Sequence, residues 1–135
     1  MNSFILPLLC FLALGLVGCS SKEKYARNSE AASAWLSANT GSATANIAGD
    51  WSASDAGWGA IHFQQKGSKI SGAMGNYEVD GHLKGSIAYL TLRSDGWVYY
   101  SVVAKKRGSI LSGFYSASLP FSTSDQKPLE LKRGE

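Results

Sequence analysis

Few residues in this 135-residue chain have the type and spacing that metal binding requires. The histidines are His62 and His82, and Asp80 lies two residues before His82 in a strand-like segment. With Glu78 they form an alternating polar row, and a metal site there would need further ligands from neighbouring strands. The simpler interpretation is the solvated outer face of a half-buried strand. We therefore predict no metal site.

Nucleophilic and acid–base catalysis have little support in the sequence. No serine lies in a Gly-x-Ser-x-Gly elbow, and the two cysteines, Cys10 and Cys19, belong to an apolar leader and its end. Carboxylates such as Asp50 with Asp55 or Asp80 could form an acid–base pair, but acidic residues are common at strand ends and turns. We predict that the protein is not an enzyme and uses no cofactor.

The start of the chain has the features of an export signal. Residues Phe4 to Val17 are almost entirely apolar. Their densest part, Leu8 to Val17, has about the length of a signal-peptide core and is too short for a permanent membrane span. The run Leu16-Val17-Gly18-Cys19 that follows resembles the lipobox of bacterial lipoproteins. This resemblance implies cleavage before Cys19 and acylation of Cys19, whose fatty chains would anchor the protein to a membrane. The alternatives are an ordinary signal peptide and an uncleaved anchor.

The residue after the cysteine bears on where such a lipoprotein is sent. In enterobacteria-like sorting, Asp at this position retains a lipoprotein in the inner membrane, whereas Ser allows transport to the outer membrane. Ser20 occupies the position here. We expect an envelope location, and the outer membrane facing the periplasm if the source is Gram-negative.

Charge and cysteine content argue against a nucleic-acid partner and against disulfide bonds. The net charge is only +3, from 13 basic and 10 acidic residues, so the strong basic loading of a nucleic-acid-binding protein is missing. With Cys10 removed and Cys19 acylated, no disulfide can form. We expect no nucleic-acid partner, and a domain stabilised by apolar burial.

Residues 20–46 are rich in Ser, Ala, Asn and Thr, a composition typical of a flexible linker. Within them, Ser29 could cap a short helix from Glu30 to about Ala38. We expect Trp35 to dock this helix weakly on the domain; the alternatives are a mobile segment and contact of Trp35 with lipid headgroups. The predicted organisation is a signal peptide (1–18), a lipidated cysteine with its linker (19–45), and a folded domain (46–135).

The domain itself has the two-residue period of β-strands. Eight segments are predicted: Ile47–Ala53, Trp58–Lys66, Lys69–Met74, Tyr77–Lys84, Ser86–Arg93, Trp97–Lys105, Ser109–Ala117 and Lys127–Lys132. Short Gly-, Asn- and Asp-containing turns separate most of them and no helical stretch intervenes, so sequential strands should pair antiparallel. The predicted fold is all-β, a small antiparallel meander barrel.

A repeated pattern supports strong curvature. Four segments share the form apolar-x-Gly-x-apolar, centred on Gly49, Gly72, Gly81 and Gly113, where a glycine removes bulk from a bending sheet. The alternation also predicts the inward-facing residues, which are Ile61, Phe63, Ile70, Met74, Tyr77, Val79, Leu83, Leu90, Leu92, Leu111, Tyr115, Leu129 and Leu131.

These motifs are similar to those of the calycin group of small barrels. Gly49-Asp50-Trp51 resembles the Gly-x-Trp that begins the first strand of lipocalins and avidins. Ile70-x-Gly72, Tyr77-x-Val79-x-Gly81 and Leu111-x-Gly113-x-Tyr115 resemble avidin-type strands. The resemblance implies a barrel and transfers no ligand residue.

Two functional hypotheses remain open. Segment 97–105 is apolar on both faces, and together with the basic turn Lys105-Lys106-Arg107 it could contact an envelope protein or an anionic surface. The basic turn could instead only keep a sheet edge from pairing. Alternatively, Trp51, Trp58, Trp97 and Tyr99 could line a barrel mouth that binds a small apolar or aromatic ligand.

Overall fold

The computed structural model of the protein describes residues 20–134. The leader, Cys19 and Glu135 lie outside the described residues, so the predicted cleavage and lipidation remain predictions. The helix is α1 (Ser20–Ala38). The strands are β1 (Gly49–Ala53), β2 (Ile61–Lys66), β3 (Lys69–Met74), β4 (Tyr77–Lys84), β5 (Ile87–Ser94), β6 (Trp97–Arg107), β7 (Ile110–Ser116) and β8 (Lys127–Arg133).

The strands form a closed antiparallel barrel in sequence order, which confirms the predicted meander. Each strand pairs with the next, and β1 closes on β8 with Trp51 opposite Arg133. Closure leaves the sheet without a free edge. We call the end with the tight turns at Gly67, Gly85 and Gly108 the base, and the opposite end the mouth.

The interior is filled by the side chains that the alternation predicts to face inward. Eleven of the thirteen are buried, and Tyr77 and Tyr115 are partly buried against them at the mouth. Ile47, Trp51, Ala88, Val102 and Ala104 complete the buried cluster. The core therefore runs continuously from base to mouth.

Three of the four motif glycines lie where the backbones of two strands come very close. A Cβ atom at Gly72 would lie 2.0 Å from the carbonyl oxygen of His62, and one at Gly113 would lie 2.0 Å from that of Val103. The corresponding contact at Gly81 is 2.1 Å, with the carbonyl oxygen of Tyr89. These positions need glycine because no side chain fits, as expected for strong curvature.

Two details of the strands differ from the prediction. Trp58 is not in β2, because a single 3-10 turn (Ala56–Trp58) follows β1 and β2 begins only at Ile61. In β6, the register shifts between Leu92, opposite Tyr100, and Arg93, opposite Val98. Tyr99 is therefore the extra residue of a β-bulge, which shifts the alternation of inward and outward side chains at the start of β6.

Helix α1 is longer than the helix predicted from Glu30 to Ala38, because it begins at Ser20. It packs on β5 and β6, and Trp35 docks as predicted, edge-on to Tyr89 and stacked on Phe121. The docked helix thus covers part of the outer apolar face of β6. Over residues 20–134, no helix combines the length and apolarity needed to cross a membrane.

The chain after α1 crosses the base of the barrel. The amide of Gly85 donates to the carbonyl of Ser42, and Thr44 donates back to Gly85. The side chain of Gln65 donates to the carbonyl of Ala45 and accepts from the amide of Ile47, which is fully buried. The described part of the predicted linker is therefore a docked helix followed by a segment hydrogen-bonded to the barrel.

Candidate functional site

The mouth of the barrel is closed by one aromatic side chain. Asp55 caps the 3-10 turn by accepting from the amide of Gly57 at 3.1 Å, and the turn carries Trp58 over the barrel. The indole of Trp58 contacts the rings of Tyr77, Tyr100 and Tyr115 edge-on, with centroid distances of 6.3, 5.7 and 5.0 Å. Edge-to-face packing of this kind is favourable for aromatic rings. Trp58 is therefore a plug rather than a strand residue.

The tyrosines around the plug also affect each other. Tyr77 lies 5.6 Å from Tyr100 and 6.0 Å from Tyr99, measured between ring centroids. Partial burial, and next the neighbouring hydroxyl of Tyr100, raise the pKa of Tyr77 above its ordinary value. The surroundings of Tyr77 therefore favour its neutral phenol over the phenolate.

Two grooves at this end of the barrel are bordered by Tyr99. One, of about 820 Å³, lies outside Trp58 and Tyr77 and is bordered by Tyr99. The other, of about 640 Å³, lies between α1 and the start of β6 and is lined by Lys24, Arg27, Trp97, Tyr99 and Tyr100. Tyr99, which is 46% exposed, borders both grooves because the bulge turns it outward. Cationic and aromatic side chains together can bind an anionic or aromatic group.

The four residues predicted to line a ligand site do not all meet. Trp58 and Tyr99 share the first groove, and Trp97 and Tyr99 share the second. Trp51 is only 3% exposed and lies toward the base, against Phe63 and under the guanidinium of Arg133. Three of the four predicted residues therefore lie at the mouth, whereas Trp51 belongs to the core.

The predicted partner-contact residues lie at the opposite end. Lys105, Lys106 and Arg107 end β6 at the base, and the turn after them leads directly into β7, as expected for a hairpin tip. Lys105 and Arg107 are exposed and Lys106 is half-buried. Because the barrel is closed, these charges do not guard a sheet edge.

The polar row considered for metal binding lies on the outside of the barrel. Arg93 of β5 forms ion pairs with Asp80 at 2.7 Å and with Glu78 at 3.3 Å. Its positive charge therefore offsets both carboxylates of the row. His62 pairs with Asp50 at 2.7 Å, with side chains 54% and 81% exposed. No three His, Cys, Asp or Glu side chains within residues 20–134 cluster closely enough to hold a metal ion.

Three residues that hold parts of the fold together were not predicted from the sequence. Arg133 covers Trp51, Asn28 joins α1 to β6, and Asp125 organises the loop between β7 and β8. Asp125 accepts hydrogen bonds from the hydroxyls of Ser116 at 2.5 Å and Ser118 at 2.7 Å, and these bonds lower its pKa. The serine-rich stretch around Asp125 is a usable sequence signal, since short polar side chains often organise loops. The other two contacts join residues 70 or more positions apart and have no local signature.

Comparison with protein-family models, with curated proteins and with solved structures finds no match for this chain. Its function must therefore be inferred from its residues and their geometry.

Proposed function

We propose that the protein is a lipid-anchored component of the bacterial cell envelope whose barrel acts as a non-catalytic interaction module. The observation that carries the proposal is the continuous packing of the interior, from Ile47 and Trp51 near the base to Trp58 at the mouth. A barrel filled in this way leaves its outer surface for function. The eight-strand meander and the opening Gly49-Asp50-Trp51 also support assignment to the calycin-type barrels.

The anchoring part of the proposal rests on the lipobox-like run that ends at Cys19. Acylation there would place at least two fatty chains directly before α1, and two chains hold a protein stably on a membrane where one does not. Replacing Cys19 with Ala should abolish incorporation of labelled fatty acid and leave an unprocessed or unanchored protein. Continued labelling of the Cys19→Ala variant would refute the anchor.

Exposed aromatic side chains support an interaction role for the barrel. Phe114 is 41% exposed on the outer face of β7, where it pairs across strands with Pro128 and Val103. It borders a groove of about 450 Å³ with Pro128 and Leu129. Phe114, Val103 and Pro128 form a contiguous apolar patch on neighbouring strands, and such patches mark contact sites for a protein partner. We propose Phe114 and Tyr99 as contacts for such a partner.

The non-catalytic part of the proposal is supported by where the titratable pairs lie. Asp50 with His62 and Asp80 with Arg93 are on the outer strand faces, where solvent screens them, and not in a cleft that could exclude water.

The second candidate is a binding protein for a small aromatic or apolar ligand. The grooves beside Trp58 and Trp97 favour it, because both are lined by aromatic rings. The outer membrane remains the proposed location if the source is Gram-negative, because Ser20 follows Cys19.

Native mass spectrometry of the protein, extracted gently from its envelope, separates the two candidates. A mass equal to the acylated chain alone would support the interaction module. An additional mass that dissociates on denaturation, and that is lost in a Tyr99→Ala variant, would establish the ligand-binding alternative and refute the first proposal. Crosslinking from position 114 in the envelope would then test the protein partner, with position 64 on the outer face of β2 as the control.

A further inference from the structure

The positive charge of the domain is concentrated at the base of the barrel. Because consecutive strands are antiparallel, the ends of β2, β4, β6 and β8 and the starts of β3, β5 and β7 lie together there. Arg133 lies there over Trp51, and seven further basic residues occupy these positions, six of them exposed. We call them the basic belt: Lys66, Lys69, Lys84, Lys105, Lys106, Arg107 and Lys132.

The strand register makes the belt nearly continuous around the barrel. Lys66 lies directly opposite Lys69 across β2 and β3. Lys84 and Lys105 flank Ile87 from either side, and Arg107 and Lys132 flank Ile110 in the same way. Residues in such cross-strand positions are about 5 Å apart at Cβ. The belt therefore alternates cationic side chains with two half-buried isoleucines.

Stability of the fold does not account for this arrangement. Like charges placed directly opposite each other, as in Lys66 and Lys69, destabilise a sheet. No belt residue forms an ion pair with a carboxylate of the part of the chain that the structure describes. Protection of a sheet edge is also excluded as an explanation, because β1 pairs with β8 and no edge exists.

The opposite end of the barrel has no such excess of positive charge. Asp55, Asp95 and Asp125 lie in its connections and Glu78 begins β4 there, but Arg93 and Lys127 lie at the same end, and α1 adds Lys24 and Arg27. The base is therefore the more positive end of the domain. Solubility alone is served by mixed charges and does not require this excess at one end.

The geometry of the belt points to an anionic surface. Six of its seven members are lysines, which act as flexible point charges, whereas arginine is preferred for fixed two-point recognition of single groups. Their position around one end of the barrel allows several to approach a flat surface together. The belt contains no aromatic residue on which a base could stack, and the aromatic rings gather at the mouth. A phospholipid headgroup layer fits these properties.

Helix α1 fixes the direction in which the belt faces. Asn28 is bonded to Val98 near the start of β6, at the mouth, while Gly41 and Ser42 lie beside Lys84 and Gly85 at the base. The helix therefore runs from mouth to base, and its 19 residues span about 28 Å. An anchor at Cys19, directly before Ser20, would lie at the mouth end, and the belt would face away from the membrane that holds it.

We propose that the basic belt binds an anionic phospholipid surface other than the one to which the protein is anchored. The choice of a second surface rests on the proposed anchor at Cys19, while binding by the belt does not. Each basic residue near such a surface strengthens binding about fivefold, and salt weakens it through screening.

The test uses the full processed protein held in vesicles of neutral phosphatidylcholine. A second, labelled vesicle population that contains phosphatidylglycerol is added, and the fraction captured is measured against lipid concentration. The belt variant is Lys69→Gln/Lys105→Gln. The control is Lys22→Gln/Lys127→Gln, which makes the same change in net charge at exposed lysines outside the belt.

The belt variant should capture anionic vesicles about 25-fold more weakly than the unchanged protein, following from about fivefold for each residue. The control should capture them equally well, and raised salt should release them. Equal effects of the two variants, or capture of neutral vesicles as well, would overturn the proposal. So would binding to isolated peptidoglycan without capture of anionic vesicles.

Failure of the anchor gives a different result from failure of the belt. An unanchored protein would not remain with the phosphatidylcholine vesicles, which refutes lipidation at Cys19. Sedimentation of that protein with phosphatidylglycerol vesicles then tests the belt directly, with the same two variants and the same expected difference.

Discussion

The guanidinium of Arg133 lies over the indole ring of Trp51, with its Cζ atom 4.6 Å from the ring centroid. The two residues are also register partners where β8 closes on β1. The same guanidinium donates to the carbonyl of Ala48 at 2.5 Å and to that of Asn46 at 2.6 Å. One side chain thus joins the last strand, the first strand and the segment that crosses the base.

Replacing Arg133 with Met should destabilise the domain by about 2–3 kcal/mol, because two charge-assisted hydrogen bonds and a cation–π contact are lost. The destabilisation by Arg133→Lys should be smaller than that by Arg133→Met but still measurable, since a lysine keeps the charge but cannot span both carbonyls with one planar group. The measurement is the free energy of unfolding in urea. The control is Lys132→Met, an exposed neighbour on the same strand, which should change it by less than about 0.5 kcal/mol. Equal effects at positions 132 and 133 would contradict this role for Arg133.

Replacing Gly113 with Val should destabilise the domain by about 3 kcal/mol or more, because even a Cβ atom there meets the backbone of Val103 and Ala104. The matched control is Gly57→Ala in the exposed 3-10 turn, where the nearest atom to a Cβ is 3.5 Å away. Thermal unfolding of both variants checks the difference. An unchanged melting midpoint for Gly113→Val would argue against the tightly curved barrel.

The strands and the core could be predicted because their signals are local. Alternation assigns Phe63, Met74 and Leu83 to the interior correctly, since one face of every strand must be buried. The bulge at Tyr99 could not be predicted in this way. One inserted residue exchanges the two faces of a strand, and both faces of β6 are apolar because α1 covers the outer one.

The helical conformation of the first ten residues of α1 could not be predicted, because it depends on contacts distant in sequence. A helix with few apolar residues is marginal alone, so Ser20 to Ser29 depend on contacts that the sequence does not reveal. Tyr25 packs edge-on against Trp97 at 5.2 Å, and Asn28 bonds Val98, in each case about 70 residues away. The candidate site was predictable in composition, as Trp58, Trp97 and Tyr99, but the plug at Trp58 depends on the 3-10 turn that sets it over the mouth.

Replacing Trp58 with Ala should open the mouth of the barrel. The side chain is half-buried against three tyrosine rings, so we expect a loss of about 2–3 kcal/mol in stability. The exposed core should also bind an apolar fluorescent dye that the unchanged protein does not bind. The control is Phe114→Ala, which removes an exposed ring outside the barrel. It should cause neither this loss of stability nor binding of the dye. Dye binding equal in both variants would contradict the plug.

Replacing Asn28 with Ala should release the first half of α1 from the barrel. The side-chain Nδ2 of Asn28 donates to the backbone carbonyl of Val98 at 3.0 Å, and its Oδ1 accepts from the backbone N–H of Val98 at 2.8 Å. Val98 lies beyond the point where β7 pairs with β6. Alanine favours helix more than asparagine does, so faster exchange can only come from the lost tether. Hydrogen exchange of α1 should accelerate while that of the strands is unchanged. Ser29→Ala, its exposed neighbour, should leave exchange slow, and slow exchange in both variants would refute the tether.

Lowering the pH should loosen the loop between β7 and β8 through Asp125. The hydroxyls of Ser116 and Ser118 hold the pKa of this carboxyl below its ordinary value of 3.8. Its contribution to stability is therefore present at neutral pH, and it is lost as the pH falls through the lowered, folded-state pKa. Unfolding measured from pH 7 to pH 2 should show less acid destabilisation in Asp125→Asn, which has no charge to lose. Asp95→Asn, in an exposed turn, should retain the acid sensitivity of the unchanged protein. If Asp125→Asn retains it as well, the hydrogen-bonded carboxylate does not stabilise the loop.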